Sequence, residues 1–252
     1  MNEIKDYAGY NKAMSKSLLD KVWWLDKIPS TIDTIIDFGC ADGAMFKFIE
    51  KMFPRKFRYI GIDNDKKMLQ KAKANISYPN TEFYSSLAKI PHYPNAVLVL
   101  NSVIHEILSY TTYWEGVKLF DQIQNCGAKY IAIRDMYEHD NPGFTHIIPD
   151  NEIDNWQASL AMQPHKNHQT ALLEYMLKAD YKSNWDREVE ERYLWEWGHW
   201  FWSMENYDIL YEEDFMLPYH RRVWRKRYRI PLVDLRKINT HKKMLLELKN
   251  PI

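Results

Sequence analysis

The chain has little of what usually staples, anchors or polarises a protein. Of 252 residues only two are cysteines, Cys40 and Cys126. They cannot build a disulfide framework and have no metal-ligand spacing, which fits a reducing compartment. Net charge is nil, 34 basic residues against 34 acidic. No overall field therefore draws the chain to nucleic acid or an anionic membrane, and any such partner has to be met by a local patch. No run approaches the roughly eighteen apolar residues of a membrane-spanning helix, and the opening MNEIKDYAGYNKAM has no apolar signal core. No internal repeat or low-complexity tract is present. These absences predict a cytoplasmic protein with no membrane partner. What is present is a globular composition, 46% hydrophobic and 27% charged, that suits one large or two small domains. It is also unusually aromatic, with 10 Trp, 17 Tyr and 10 Phe.

Hydrophobic periodicity predicts an amphipathic helix over residues 11–28, then an alternation of strands and helices. Residues 34–39 (TIIDFG), 58–63 (RYIGID), 81–86, 96–101 (AVLVLN) and 130–136 (YIAIRDM) read as strands. Residues 44–52, 66–76 and 113–124 read as the helices between them, with Asp65 placed to cap the second. Strands alternating with helices of this length predict right-handed crossovers and a doubly wound, mostly parallel α/β sheet. Beyond residue 140 the pattern changes. Helices rich in aromatics are expected at 150–162, 168–181 and 187–204, and two late strands at 207–217 and 243–249 would add an antiparallel pair at one sheet edge, giving about seven strands.

Ligands of open parallel sheets bind at the carboxyl ends of the strands, where strand order reverses. The first strand ends in Asp37-Phe38-Gly39-Cys40-Ala41-Asp42-Gly43, a turn whose glycines permit positive φ and close approach of a ligand to the backbone. Asp63 ends the second strand, 24 residues after Gly39, where a carboxylate can accept both hydroxyls of a ribose. The nicotinamide fingerprint G-x-G-x-x-G fails at two of its three positions, which here are Ala41 and Ala44.

Over residues 35–136 the chain resembles the class I S-adenosylmethionine-dependent methyltransferases. Asp37, Gly39 and Gly43 match that family's acidic, glycine-rich first motif, and Asp63, with Asn64 beside it, matches its acidic residue after the second strand. Ala41 departs from the pattern, standing where a second glycine is common. The resemblance implies a Rossmann-like methyltransferase fold that binds S-adenosylmethionine through Asp37, Gly39, Cys40, Ala41, Gly43, Asp63, Asn64, Ser86, Asn101 and Ser102. It also implies a domain plan: a helical lid over 1–33, the cofactor-binding core over 34–140, a helical, aromatic-rich substrate-side cover over 141–206, and strands with a basic segment over 207–252. Trp185, Trp195, Trp197, Trp200 and Trp202 all fall in the cover, and Trp23 and Trp24 in the lid.

Methyl transfer to an oxygen or a protonated nitrogen needs a base. His105 and Glu106 are the candidates after the fourth strand, with Asp135 and His139 after the fifth. His105 titrates near neutrality but reads equally as a helix-start histidine, Glu106 reads equally as a first-turn carboxylate facing the helix dipole, and Asp135 as a simple strand end. His165, His168 and His199 lack metal spacing, and the cysteines lack the flanking proline of a Pro-Cys nucleophile.

The zero net charge hides a dipolar tail. Residues 186–214 hold ten acidic against two basic side chains, and residues 219–252 hold eleven basic against two acidic. The basic centre, residues 221–229, carries Arg221, Arg222, Arg225 and Arg227 with Trp224 and Tyr228 among them. Arginines for phosphate and rings for stacking suit a nucleic-acid surface, while packing on the acidic stretch before it would be purely structural. Two functions are therefore expected to compete: methyl transfer to a small-molecule or nucleic-acid acceptor, and nucleic-acid binding without catalysis on the same kind of sheet.

Overall fold

The computed structural model describes residues 17–137, 204–227, 232–236 and 238–249. The expected helices at 150–162, 168–181 and 187–204, His139 and the tryptophans of the cover lie outside them. The described elements are α1 (Leu18–Lys21), β1 (Thr34–Phe38), α2 (Ala44–Met52), β2 (Arg58–Ile62), α3 (Lys66–Asn75), β3 (Thr81–Tyr84), β4 (Ala96–Asn101), α4 (Ile104–Tyr110), α5 (Tyr113–Gln124), β5 (Tyr130–Met136), β6 (Tyr207–Phe215), α6 (Pro218–Arg227), α7 (Leu232–Leu235) and β7 (His241–Leu248).

The strands form a seven-stranded sheet in the order β3-β2-β1-β4-β5-β7-β6. β1 to β5 are parallel, and β7 runs antiparallel to both of its neighbours. This is the doubly wound architecture of a Rossmann-like methyltransferase fold. Strand order reverses between β1 and β4, which are hydrogen-bonded neighbours.

Val97, Leu98, Val99 and Leu100 are all fully buried, as expected of a central parallel strand covered on both faces. Alternate residues feed two cores. Ile36, Leu98, Leu100, Ile131 and Ile133 pack with Phe120 and Ile123 of α5 on one face. Ile35, Val97, Val99 and Ala132 pack with Phe46 and Ile49 of α2 and with Trp24 on the other.

Three local features differ from expectation. The opening segment is helical only over Leu18–Lys21 among its described residues, because the Trp24 indole donates to the Lys21 carbonyl at 3.1 Å. The backbone after it closes tight turns, with Leu25 N–H donating to Val22 O and Lys27 N–H to Trp24 O. Helix α4 is an element the periodicity did not predict. The last two strands are Tyr207–Phe215 and His241–Leu248, the first ended early by the helix that starts at Pro218. No helix among the described residues is long and apolar enough to cross a membrane.

Candidate active site

The turn after β1 is held open by backbone geometry. Gly39 and Gly43 have φ of 81° and 78°, and a Cβ on Gly43 would stand 2.8 Å from Ile76. Gly39 N–H and Cys40 N–H both donate to the Ile62 carbonyl, at 2.8 and 3.0 Å, which fastens the turn to the end of β2. Ala41 also takes the left-handed conformation, φ 46°, at a cost of about 1 kcal/mol or more for a residue with a Cβ. Its N–H donates to Asp63 Oδ2 at 2.9 Å, while Asp65 N–H donates to Asp63 Oδ1 at 2.8 Å. Asp63 thus joins the turn after β1 to the start of α3, which Asp65 caps through Lys67 N–H and Met68 N–H. Burial raises the Asp63 carboxyl above its ordinary value against the pull of those two backbone donors.

Of the other expected cofactor residues, Cys40 is buried, and burial together with the Asp37 and Asp63 carboxylates drives its thiol upward, so it stays protonated and is not a nucleophile. Asn64 is exposed. Ser86 Oγ accepts from Ala88 N–H as the cap of a short 3-10 turn at the β3 edge.

Asp37 is buried and lies in the field of Lys21, a residue of the opening segment that sequence reasoning did not single out. Desolvation raises Asp37 to about 7, opposed by Lys21 and reinforced by Asp63. Desolvation and Arg134 lower Lys21 to about 8, opposed first by Asp37. Because the folded pKa of Asp37 lies above its ordinary value of 3.8, the folded protein binds this proton more tightly than the unfolded chain. That contribution to stability is complete below about pH 4 and is lost as pH rises to about 7. Asp37→Asn is expected to remove this contribution to the decline in a series of urea midpoints taken between pH 4 and 7, while Asp63 and Glu106, both raised by burial, keep contributing slopes of the same sign.

At the end of β4, Asn101 Nδ2 donates to the Lys21 carbonyl at 3.2 Å, and Asn101 Oδ1 is buried with no hydrogen-bond partner. A buried acceptor left in this state costs about 1–3 kcal/mol and is satisfied if a ligand brings a donor. Ser102 follows with φ 54°. Its hydroxyl accepts from Arg134 at 3.0 Å, and the same buried guanidinium grips Asp20 through Nε and Nη2 at 2.7 and 2.6 Å. Lys243 of β7 also reaches Asp20, at 3.1 Å. These ion pairs fasten the opening segment across the ends of β4, β5 and β7. Arg134→Ala leaves Asp20 with one cation in place of two, and is expected to cost about 2 kcal/mol in chemical denaturation.

The central pair of the site is His105 and Asp135. Asp135, at the carboxyl end of β5, is completely buried, and its Oδ1 lies 2.6 Å from His105 Nδ1. Its Oδ2 accepts from the backbone N–H of Ile104 at 2.7 Å and of His105 at 3.3 Å. Asp135 therefore caps α4 and holds its first histidine at once. The tautomer in which Nδ1 donates to this carboxylate leaves Nε2 as the basic nitrogen of the ring. Glu106, next in the helix, is solvent-accessible yet closely surrounded by protein at this end of the sheet. That desolvation raises its carboxyl, with His105 opposing and Asp135 adding to the rise.

Asp37, Gly39, Ala41, Gly43, Asp63, Asn101, Ser102 and His105 therefore stand together around the reversal point of the sheet. The expected nucleic-acid residues lie on α6, where Arg222 and Arg225 are exposed and Arg221 is half-buried. Arg227 is the last residue of that helix, and Arg229 lies outside the described residues. Asp20 and Lys21 are residues that sequence reasoning missed, and their roles, like that of the strand-end Arg134, arise only from contacts across the fold.

No protein-family model matches the chain, and no curated protein matches it in sequence. Among solved structures it is similar to the methyltransferase domain of bacterial CtHen1-C, at 11% identity and a TM-score of 0.50, over 94% of this chain and 99% of that one. It is similar also to the small RNA methyltransferase HEN1, at 11% identity and a TM-score of 0.51, over 99% of this chain but 26% of that much longer one. A putative methyltransferase solved in complex with the Haloferax volcanii Trm112 methyltransferase activator aligns over 98% of both chains at 11% identity, with a TM-score of 0.49. At such identities the likeness is one of fold.

Proposed function

We propose that this chain is an S-adenosylmethionine-dependent methyltransferase in which His105, held by Asp135, serves as general base toward an oxygen or nitrogen acceptor. The observation that carries the reading is the convergence, at one reversal of the sheet, of a ribose-type carboxylate, a glycine-bordered turn and a partly exposed histidine held by a buried carboxylate. The residues fit the cofactor. Asp63 offers carboxylate oxygens to ribose hydroxyls, and the orphaned Asn101 Oδ1 suits an ammonium donor. The Gly39 to Gly43 turn leaves backbone accessible to the ligand, and Asp37 puts a carboxylate beside a site for a cationic group.

When bound, S-adenosylmethionine supplies a methyl group already activated on a sulfonium. The protein's tasks are then to align the acceptor, worth up to about 7–11 kcal/mol, and to take its proton. Nε2 of His105 accepts that proton from the acceptor O–H or N–H, and Asp135 stabilises the resulting imidazolium through Nδ1–H. The acceptor is a small molecule or a nucleic acid. Calorimetric titration of the full chain with S-adenosylmethionine and with its demethylated product tests the reading, which predicts saturable binding of both ligands. If neither binds, the proposal is wrong.

A further inference from the structure

We infer that α6 is a docking surface for the phosphodiester backbone of a nucleic-acid strand, which it delivers to the His105 end of the sheet. The docking depends only on the helix and its exposed cations; that the strand carries the methyl acceptor rests on the proposed function.

Topology puts the helix at the relevant edge. β6 and β5 are each antiparallel to β7, so β6 ends at the same edge as β5. Phe215, its last residue, registers with His241, and His241 registers with Met136, the neighbour of Asp135. The chain enters α6 at Pro218, only three residues after Phe215.

One face of α6 is fixed to the body of the protein, since Trp224 is fully buried. At about 100° per residue, positions 222 and 226 lie on the side away from Trp224, and Arg222, Arg225 and Lys226 are exposed there. Arg236, just after α7, is exposed as well.

Among the described residues, Glu212, Glu213 and Asp214 of the strand before the helix pair with β7 and not with the helix. Glu212 and Asp214 of β6 pair with Lys242 at 3.5 and 2.9 Å, and Glu213 pairs with Lys243 at 3.1 Å. Among the described residues no carboxylate pairs with Arg222, Arg225 or Lys226, which are exposed. The i, i+4 cations Arg222 and Lys226 repel each other on the bare helix. A polyanion lying along the helix removes that repulsion.

The chemistry of the row selects the occupant. A membrane-surface helix needs an apolar face free to enter lipid, and here the buried face is spent on the protein's own core. Exposed guanidinium groups without an enclosing pocket suit repeated phosphates better than a single small anion.

The test is fluorescence anisotropy of the full chain with labelled single-stranded RNA, DNA of the same sequence, and a duplex, run over a salt series beside co-sedimentation with anionic phosphatidylserine vesicles. Wild type is expected to bind a strand with steep salt dependence. Arg222→Ala, Arg225→Ala and Lys226→Ala together should weaken it by more than about tenfold and reduce the log–log salt slope by about two to three. The melting temperature and cofactor titration of that variant should match wild type, and Arg222→Lys with Arg225→Lys should keep most of the binding. The preferred strand identifies the nucleic acid. Absence of strand binding at low salt, a triple variant that binds like wild type, or binding to vesicles alone overturns the inference. Strand binding that depends on these residues in a protein that binds no cofactor leaves the docking surface standing and removes only the methyltransferase reading.

Discussion

Asp63→Ala is expected to weaken S-adenosylmethionine by about a hundredfold or more in a calorimetric titration, with little loss of fold. The carboxylate has two roles at the end of β2. It accepts from Ala41 N–H and Asp65 N–H at 2.9 and 2.8 Å, and under the proposed function its remaining lone pairs take ribose hydroxyls. A hydrogen bond to a charged group contributes about 1.5–3 kcal/mol, and about 1.4 kcal/mol is a factor of ten, so losing two such bonds accounts for that ratio. The turn contributes further, because Ala41 is held at φ 46° and loses the one bond that fixes its N–H to β2. Folding is affected less, since removing a carboxylate whose burial disfavours its charge offsets part of what the two orphaned amides cost. Asp63→Asn, which keeps one acceptor oxygen and no charge, should fall between the two. Wild-type affinity in Asp63→Ala would mean that the ribose lies elsewhere.

Most of this scaffold can be read locally because its signals are local. Strands β1, β2, β4 and β5 are short apolar runs, and α5 has its own Thr112–Glu115 capping box, so pattern and structure agree along the sheet. The antiparallel pair at the far edge was legible as well, though the strand ends depend on where Pro218 starts a helix. The start of helix α4 was one reading of His105 and Glu106, but its cap was not legible. The residue before it is Val103, whose side chain cannot cap, and the missing acceptor arrives from Asp135, 31 positions along the chain. Asp20 and Lys21 were hidden for the same reason. Their neighbours suggest one amphipathic helix, whereas their partners are Arg134, 114 positions away, and the buried Asp37. Long-range polar contacts of this kind leave no periodic trace. The basic segment was legible in composition, whereas the pairing of Glu212, Glu213 and Asp214 with Lys242 and Lys243 was not.

His105→Gln should lower turnover by about 10²–10⁴, the usual worth of a positioned general base, while cofactor affinity stays within about threefold of wild type. Glutamine can still occupy the space and hydrogen-bond to Asp135, so α4 is retained and only the titratable nitrogen is lost. The acidic limb of the wild-type pH–rate profile should disappear in this variant, because no imidazolium remains to be deprotonated before the reaction. Asp135→Asn is the sharper probe of orientation. Its amide oxygen can go on accepting from Ile104 N–H, but its –NH₂ then faces His105 Nδ1 as a donor. That arrangement selects the tautomer with the proton on Nε2, the wrong one for taking a proton from the acceptor. A fall in turnover comparable to that of His105→Gln is therefore expected from a residue that is completely buried and touches no acceptor. The double variant should be little worse than either single one, since two residues that act as one unit cannot each be lost in full. Additive losses would indicate that Asp135 acts only by capping α4, and turnover close to wild type in His105→Gln would assign the proton to another group, with Glu106 next in reach.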